Sequence, residues 1–535
     1  MRKNIFFFIM SVLVAGMVVA ANDNSWSTIS PRQKLAAIES TIMKYYVDSV
    51  DETKLVEAAI NGLISQLDPH SNYNDAEETK EMTEPLDGNF SGVGIEFNMQ
   101  SDTLYVVQTI SGGPCERVGI QPGDRFLEVN DTVIAGVKMK NSDIMKRLRG
   151  KKGTEVDIKV LRHGVAEPIE FRVKRDNIPL YSIDASYMVD NQTGYIRLSR
   201  FARTSLDEFL EAMKSLKKQG MSRLILDLTD NGGGYLDIAA SLANQFLEKG
   251  DLIVYTEGRS QPRREMEARG DGGFKKTRVV VMVNQFSASA SEILSGALQD
   301  WDRAVIVGRR TFGKGLVQHP IVFPDGTMMR LSIARYYTPS GRSIQKPYVQ
   351  GERDKYEMDM VDRYKHGEYS SADSVKFNDS LQYTTLRTHR KVYGGGGIMP
   401  DVFVPIDTTS YSDFYRNVVA KGVLNSFAIR YVDANRETLK KQYKNVDKFD
   451  AGFSVTDEML AQLVADAEKA GVKYDEEQFT TSKSLMQVIV KAVIARDIYD
   501  RSAYFKIANK SIDPIYQRAL QVISDDAEYH RLLSE

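Results

Sequence analysis

Three serines and one lysine are the residues whose types and spacing could do chemistry. The serines are Ser287, Ser289 and Ser291, in the run Asn284-Gln-Phe-Ser-Ala-Ser-Ala-Ser-Glu-Ile. The lysine is Lys314, in Thr311-Phe-Gly-Lys-Gly, with Gln318 four residues further on. A serine hydroxyl is a weak nucleophile until a base takes its proton. The chain has six histidines, and none stands in an obvious catalytic motif. A lysine serves as the base where burial drives its pKa well below about 10.4. Taken alone, the serines would equally suit a helix cap, and Lys314 a surface loop.

The elements around these residues decide what they can do. Arg278-Val-Val-Val-Met-Val predicts a strand that stops at Asn284. Beyond the small residues, Ile293, Leu294, Ala297, Leu298 and Trp301 recur on one helical face. A serine on that strand-to-helix turn exposes its hydroxyl in front of a helix N-terminus. Unpaired N–H groups there can hold a developing oxyanion. A second strand, Ala304 to Val307, leads into the lysine turn.

Together, S-A-S-A-S-E-I and T-F-G-K-G-x-V-Q resemble the carboxy-terminal-processing proteases, the S41 Ser-Lys endopeptidases that carry a PDZ domain. The resemblance implies Ser289 as nucleophile and Lys314 as base, 25 residues on (314 − 289 = 25). It implies that Gln318 orients the lysine. Ser287 and Ser291 are the neighbouring alternatives. Arg223-Leu-Ile-Leu-Asp-Leu reads as a strand covered on both faces. It runs into Thr229-Asp-Asn-Gly-Gly-Gly-Tyr, which resembles the family's D-L-R-x-N-x-G-G-x-L. By that resemblance the amides of Gly233 or its neighbours and of Ala290 form the oxyanion hole, glycine allowing close approach. Thr229 stands in the place of the family's arginine, which leaves the positioning of this loop open. The glycines lack G-K-[ST] and G-x-G-x-x-G spacing, so phosphate binding is disfavoured.

The rest of the chain suits this reading. It has 535 residues, 42% hydrophobic and 27% charged, enough for several cores. A formal net charge of −2 gives no global pull toward nucleic acid. Cys115 is the one cysteine, so an intrachain disulfide is excluded. Residues 1–21 read as a signal peptide: Arg2 and Lys3, an apolar run from Ile5, then Val18-Val-Ala-Ala. Residues 22–87 read as helical, opening at Ser30-Pro31 and ending near Leu67-Asp-Pro-His-Ser-Asn-Tyr. That signature also resembles the family, and His70 within it reads as structural. Residues 88–176 resemble a PDZ domain, with Gly119-Ile-Gln-Pro-Gly-Asp-Arg-Phe-Leu-Glu-Val-Asn as the signature. An exposed strand edge would take a peptide by β-augmentation. The amides near Gly92, Val93, Gly94 and Ile95 would then receive its C-terminal carboxylate.

Residues 177–405 read as the catalytic core, with a mobile charged loop over Glu257 to Lys276 and an unplaced polar segment at 350–390. Residues 406–535 read as helical, a brace by default. The expectation is an α/β protein: a ClpP/crotonase-like core, a PDZ domain and helical flanks. It is expected to be an exported serine endopeptidase of the periplasm or cell envelope, cutting polypeptides near their free C-termini. Neither metal nor cofactor is called for, since no Cys/His/Asp/Glu cluster has ligand spacing. An adaptor or activator protein fits the reading, and the oligomeric state is not legible. One alternative is a PDZ-based binding protein on an inactive protease scaffold, which an intact Ser289/Lys314/Gln318 set opposes. Another is an esterase on the same nucleophile, which a peptide-recognising PDZ domain opposes.

Overall fold

The computed structural model describes residues 29–100, 102–376 and 378–534, so the signal peptide expected at 1–21 lies outside the described residues. The chain divides into two compact units, 1–67 and 68–535. In the first, Pro31–Tyr45 and Glu52–Ile64 are helices. Ser30 caps the first and exchanges hydrogen bonds with Gln33, with Pro31 at a position where no N–H is needed. Among the described residues, none of the first helix is buried.

In the second unit an antiparallel sheet runs in the order Ile95–Gln100, Thr103–Thr109, Arg125–Val129, Glu155–Leu161 and Ile169–Lys174, with Thr132–Val133 pairing Arg125–Val129. Along Glu155–Leu161, Val156, Ile158 and Val160 are buried while their neighbours face out, the period-two pattern of a half-covered strand. The helix Asn141–Leu148 buries Ile144 and Leu148 in the same core. Ile95–Gln100 is an edge strand.

The central sheet follows the order Ile183–Met188, Thr193–Leu198, Arg223–Asp227, Arg278–Val283, Val305–Gly308 and Val402–Phe403. Its first pair is antiparallel and the rest parallel. Parallel neighbours require crossovers, and helices supply them on one face. Leu224, Leu226, Val279 and Val281 meet Phe209, Met213, Leu242, Leu294 and Leu298 there. The intervening residues Ile225, Val280 and Met282 meet Ile515, Tyr516, Val522 and Ile523 of the helix Pro514–Ser524 on the other face. Both faces are therefore covered, and the near-continuous apolar strands follow from that.

A second, antiparallel sheet holds Asn72–Asn74, Met328–Tyr337, Leu252–Gly258 and Gln261–Glu267, with Leu316–Val322 also pairing Met328–Tyr337. Part of the segment expected to be a mobile loop, Glu257 to Lys276, is instead in a hairpin of Leu252–Gly258 and Gln261–Glu267. From Asp413 onward the chain is helical, with its own core around Phe427, Phe449, Leu463, Met486 and Ile494. Among the described residues, no helix is long and apolar enough to cross a membrane.

Candidate active site

The strand Arg278–Val283 delivers the three serines into unlike environments. Ser287 and Ser291 are fully buried. Ser287 donates to the Leu228 carbonyl at 2.7 Å, and Ser291 donates to the Asn231 carbonyl at 2.8 Å. Both hydroxyls thus hold the turn together. Ser289 is only partly buried and precedes the helix Ala290–Asp300. Its φ of 56° is a strained conformation for a residue with a Cβ. Gly233 packs against it: a Cβ added there would stand 2.8 Å from Ser289 Cβ and 2.9 Å from the Ala288 carbonyl. Any larger residue would push the glycine loop off the serine.

One buried carboxylate fixes the serine turn to the lysine turn. Glu292 Oε2 accepts the backbone N–H of Ser289 at 2.8 Å and that of Lys314 at 2.9 Å. Its Oε1 accepts from Gly313 N–H at 2.7 Å and the Thr311 hydroxyl at 2.5 Å. Burial pushes the Glu292 carboxyl up to about 7, against the pull of these four donors. The Tyr336 hydroxyl lies 3.1 Å from the Ser289 carbonyl and also hydrogen-bonds the Lys314 carbonyl. Sequence reasoning gave neither residue a role. The signal for Glu292 was present as the spacing Ser289-x-x-Glu292, the capping-box pattern at a helix start. Tyr336 left no comparable trace.

Burial, and then the charge of Arg330, lower the Lys314 ammonium from its ordinary 10.5 to about 8. No hydrogen bond from its Nζ is found among the described residues, to Ser289 or to any other group. The expected partner, Gln318, is engaged elsewhere. Its Oε1 accepts from Arg330 at 2.6 Å and its Nε2 donates to the His70 carbonyl at 3.2 Å. Gln318 is thus linked to Lys314 through Arg330, whose charge helps hold the lysine pKa down. His70 sits between Phe312 and Tyr356, with Nε2 2.8 Å from the Tyr356 hydroxyl. Burial, followed by Lys314, pushes its imidazole down to about 3, so it is neutral. Asp68 accepts from the backbone of His70 and Ser71 and from the Ser332 hydroxyl, pinning the loop to the second sheet.

The glycine loop departs from expectation in one respect. The Gly233 N–H donates to Asn231 Oδ1 at 2.9 Å, so it is not free to meet an oxyanion. Ala290 heads its helix, and its N–H has no partner within that helix. The Asn231 carbonyl accepts from Ala288 N–H at 3.0 Å as well as from Ser291, which ties the two loops together. Thr229 receives the guanidinium of Arg197 from the neighbouring strand, at 2.7 Å on its hydroxyl and 3.1 Å on its carbonyl. Gly92 ends the strand Asn89–Gly92, which pairs with Asp176–Pro179; Gly92, Val93 and Gly94 are buried, and Ile95 is half-buried at the start of the edge strand. The carbonyls of Val93 and Gly94 are taken by Cys115 N–H and Ile110 N–H, both at 3.0 Å. Among the described residues, no group of three or more His, Cys, Asp or Glu could hold a metal ion.

The segment at 350–390 supplies the helix Arg353–Lys365, which clamps the lysine turn. Arg363 donates to the Thr311 carbonyl at 2.9 Å and the Phe312 carbonyl at 3.1 Å. Lys346 is buried over the rings of Phe312 and Tyr356, at 4.2 and 4.0 Å, and pairs with Asp359 at 2.9 Å.

Comparison with known proteins agrees with this architecture. The model of peptidase family S41 matches residues 192–353, and that of the PDZ domain matches 91–174. The activating protease CtpB N-terminal domain matches 13–79, and a family of unknown function matches 414–500. A carboxy-terminal-processing protease of Bartonella bacilliformis is 36% identical over 353 residues, covering 64% of this chain and 80% of that protein. The carboxy-terminal processing protease CtpA of Bacillus subtilis is 34% identical over 344 residues, covering 63% of this chain and 73% of that protein. A photosystem II D1 C-terminal processing protease structure aligns with 26% identity and a TM-score of 0.33, covering 59% of this chain and 91% of that one. With this identity and coverage, the chain belongs to the carboxy-terminal-processing protease family, peptidase family S41, and is a serine-type protease.

Proposed function

We propose that Ser289 and Lys314 form the catalytic dyad. The observation that carries this reading is the shared carboxylate. Glu292 fixes the backbone of the one partly exposed serine and of the lysine with the lowered pKa. In the reaction, neutral Lys314 takes the Ser289 proton as the hydroxyl attacks the peptide carbonyl. The negative charge on the carbonyl oxygen is met by Ala290 N–H at the helix start, together with an amide of the 232–234 loop. Gly233 joins that set only if Asn231 releases it. Protonated Lys314 then gives its proton to the leaving amine, and water hydrolyses the acyl-enzyme by the same exchange.

The PDZ segment supports recognition of substrate C-termini. Its edge strand Ile95–Gln100 is open to strand addition, with Gly92–Ile95 as the carboxylate-binding turn. The basic, then apolar start of the chain supports export to the periplasm or cell envelope, testable by N-terminal sequencing of the mature protein.

The test is cleavage of a peptide with a free C-terminus by purified wild type and Ser289→Ala. Alanine fits this small-residue turn, so the variant folds normally and cleavage is lost. Wild-type turnover by Ser289→Ala would refute the assignment, and loss of turnover in Ser287→Ala alone would move it.

A further inference from the structure

We infer that Arg197 is the positioning residue of the loop that brings backbone amides to Ser289, and that Phe505 of the C-terminal helices keeps it in place. The inference rests on the Ser289 reading above. It starts from register: in the parallel pairing of Thr193–Leu198 with Arg223–Asp227, Arg197 lies beside Asp227, two residues before Thr229.

The guanidinium spends both of its terminal nitrogens on this loop. Nη1 donates to Asp227 Oδ2 at 2.6 Å and to the Thr229 hydroxyl at 2.7 Å. Nη2 donates to the Thr229 carbonyl at 3.1 Å and to Asp230 Oδ2 at 3.3 Å. A planar fork can hold four acceptors at fixed angles, which an ammonium cannot. The loop needs such holding. Asp230 has a φ of 61°, and among the described residues its backbone N–H and carboxylate are otherwise secured by Asn284. Three residues on, Gly233 lies so close to Ser289 that an added Cβ would stand 2.8 Å from the serine's Cβ. A shift at Thr229 and Asp230 therefore travels directly to the amides beside the nucleophile. Thr229 also donates its hydroxyl to Asp227 Oδ1 at 2.7 Å, which completes a closed network.

Phe505, in the helix Arg501–Ile512, places its ring 4.9 Å from the guanidinium. With the head covered, the Arg197 side chain is 13% exposed and its Nε is buried without a hydrogen-bond partner among the described residues. The side chain is thus confined from above by a residue of the C-terminal region, outside the residues matched by the S41 model. That gives the helical region a part in the reaction beyond bracing the sheet.

The test compares wild type, Arg197→Lys, Phe505→Leu and the pair Arg197→Gln with Asp227→Asn, on one peptide with a free C-terminus. The paired change removes both charges together and leaves no lone buried carboxylate. Expected is a loss of kcat of about tenfold or more in the pair, with KM within about twofold, because transition-state amides move while substrate contacts stay. Arg197→Lys regains part of the rate, since it keeps the pairing with Asp227 and loses the fork. Phe505→Leu loses kcat severalfold. The midpoint of the pH–rate profile stays put in all of them, because Lys314 is untouched. An unchanged kcat, or a loss confined to KM, in variants with wild-type far-UV circular dichroism and Tm overturns the inference. If the paired variant does not fold, Phe505→Leu decides by the same criterion. Ser289→Ala run alongside separates the two readings: activity in that variant sinks the dyad, whereas an inactive Ser289→Ala beside fully active Arg197 and Phe505 variants sinks only the positioning role.

Discussion

Glu292 accepts from the backbone of Ser289, Gly313 and Lys314, so a single buried side chain governs two turns that are 25 residues apart (314 − 289 = 25). Glu292→Gln keeps the shape but turns an N–H₂ toward N–H donors that need an acceptor. Each donor left unpaired in a buried site costs about 1–3 kcal/mol. The expected outcome is a lower Tm with turnover reduced more than tenfold, read by calorimetry and peptide cleavage. Wild-type turnover in a folded Glu292→Gln would show that the carboxylate is dispensable. Burial favours the neutral form of Lys314. Its folded pKa of about 8 lies below the ordinary 10.5, so its contribution to stability is present above 10.5 and lost as pH falls through about 8. The neutral base appears over the same range, and kcat/KM should rise through about pH 8. A flat profile across that range would contradict the lysine as base. The sequence displayed both Ser289 and Lys314, the two residues proposed to react, because small residues and glycine turns are local signals. It did not display Gln318's attachment to Arg330 or Tyr336's to two carbonyls, because these depend on strand pairing between Leu316–Val322 and Met328–Tyr337.

At the scale of elements, the parallel strands were legible because both faces are buried, which forces apolar runs such as Arg278–Val283. The hairpin strand Gln261–Glu267 was not. Its residues are almost all exposed, so it carries charges on both sides and lacks any period-two pattern. The helix Arg353–Lys365 was hidden for a similar reason, since only Tyr356 and Arg363 are buried along it. Those two are the ones that grip the lysine turn, through His70 and Gln345 and through the Thr311 and Phe312 carbonyls. Arg363→Ala should therefore loosen the turn without touching Ser289 or Lys314. Faster proteolytic nicking near residues 311–315 and a severalfold loss of turnover are expected. An unchanged nicking rate would mean that the turn does not depend on Arg363.

Across the whole molecule, the C-terminal helices cover one face of the central sheet, and Ile523 is fully buried there. Ile523→Ala should cost about 2–4 kcal/mol of stability by leaving a cavity under the sheet, measured by denaturant unfolding. A cost below about 0.5 kcal/mol would mean that this helix does not support the sheet. The PDZ segment is anchored in the same unit by Arg125 to Asp433 at 2.7 Å and by Arg501 to Glu96 at 2.8 Å. If its turn at Gly92–Ile95 reads a carboxylate, amidating a substrate's C-terminus should weaken cleavage. Equal rates for amide and free acid would show that the carboxylate is not read. The central claim, that Ser289 is activated by Lys314, is tested most directly by covalent labelling. Wild type and Lys314→Arg are treated with a fluorophosphonate from about pH 5 to about pH 10, and the adduct is located by peptide mass spectrometry. The account predicts one adduct on Ser289, formed at a rate that rises through about pH 8 and nearly vanishes in Lys314→Arg, since arginine stays charged. An adduct on another residue, or wild-type labelling of Lys314→Arg, would contradict it.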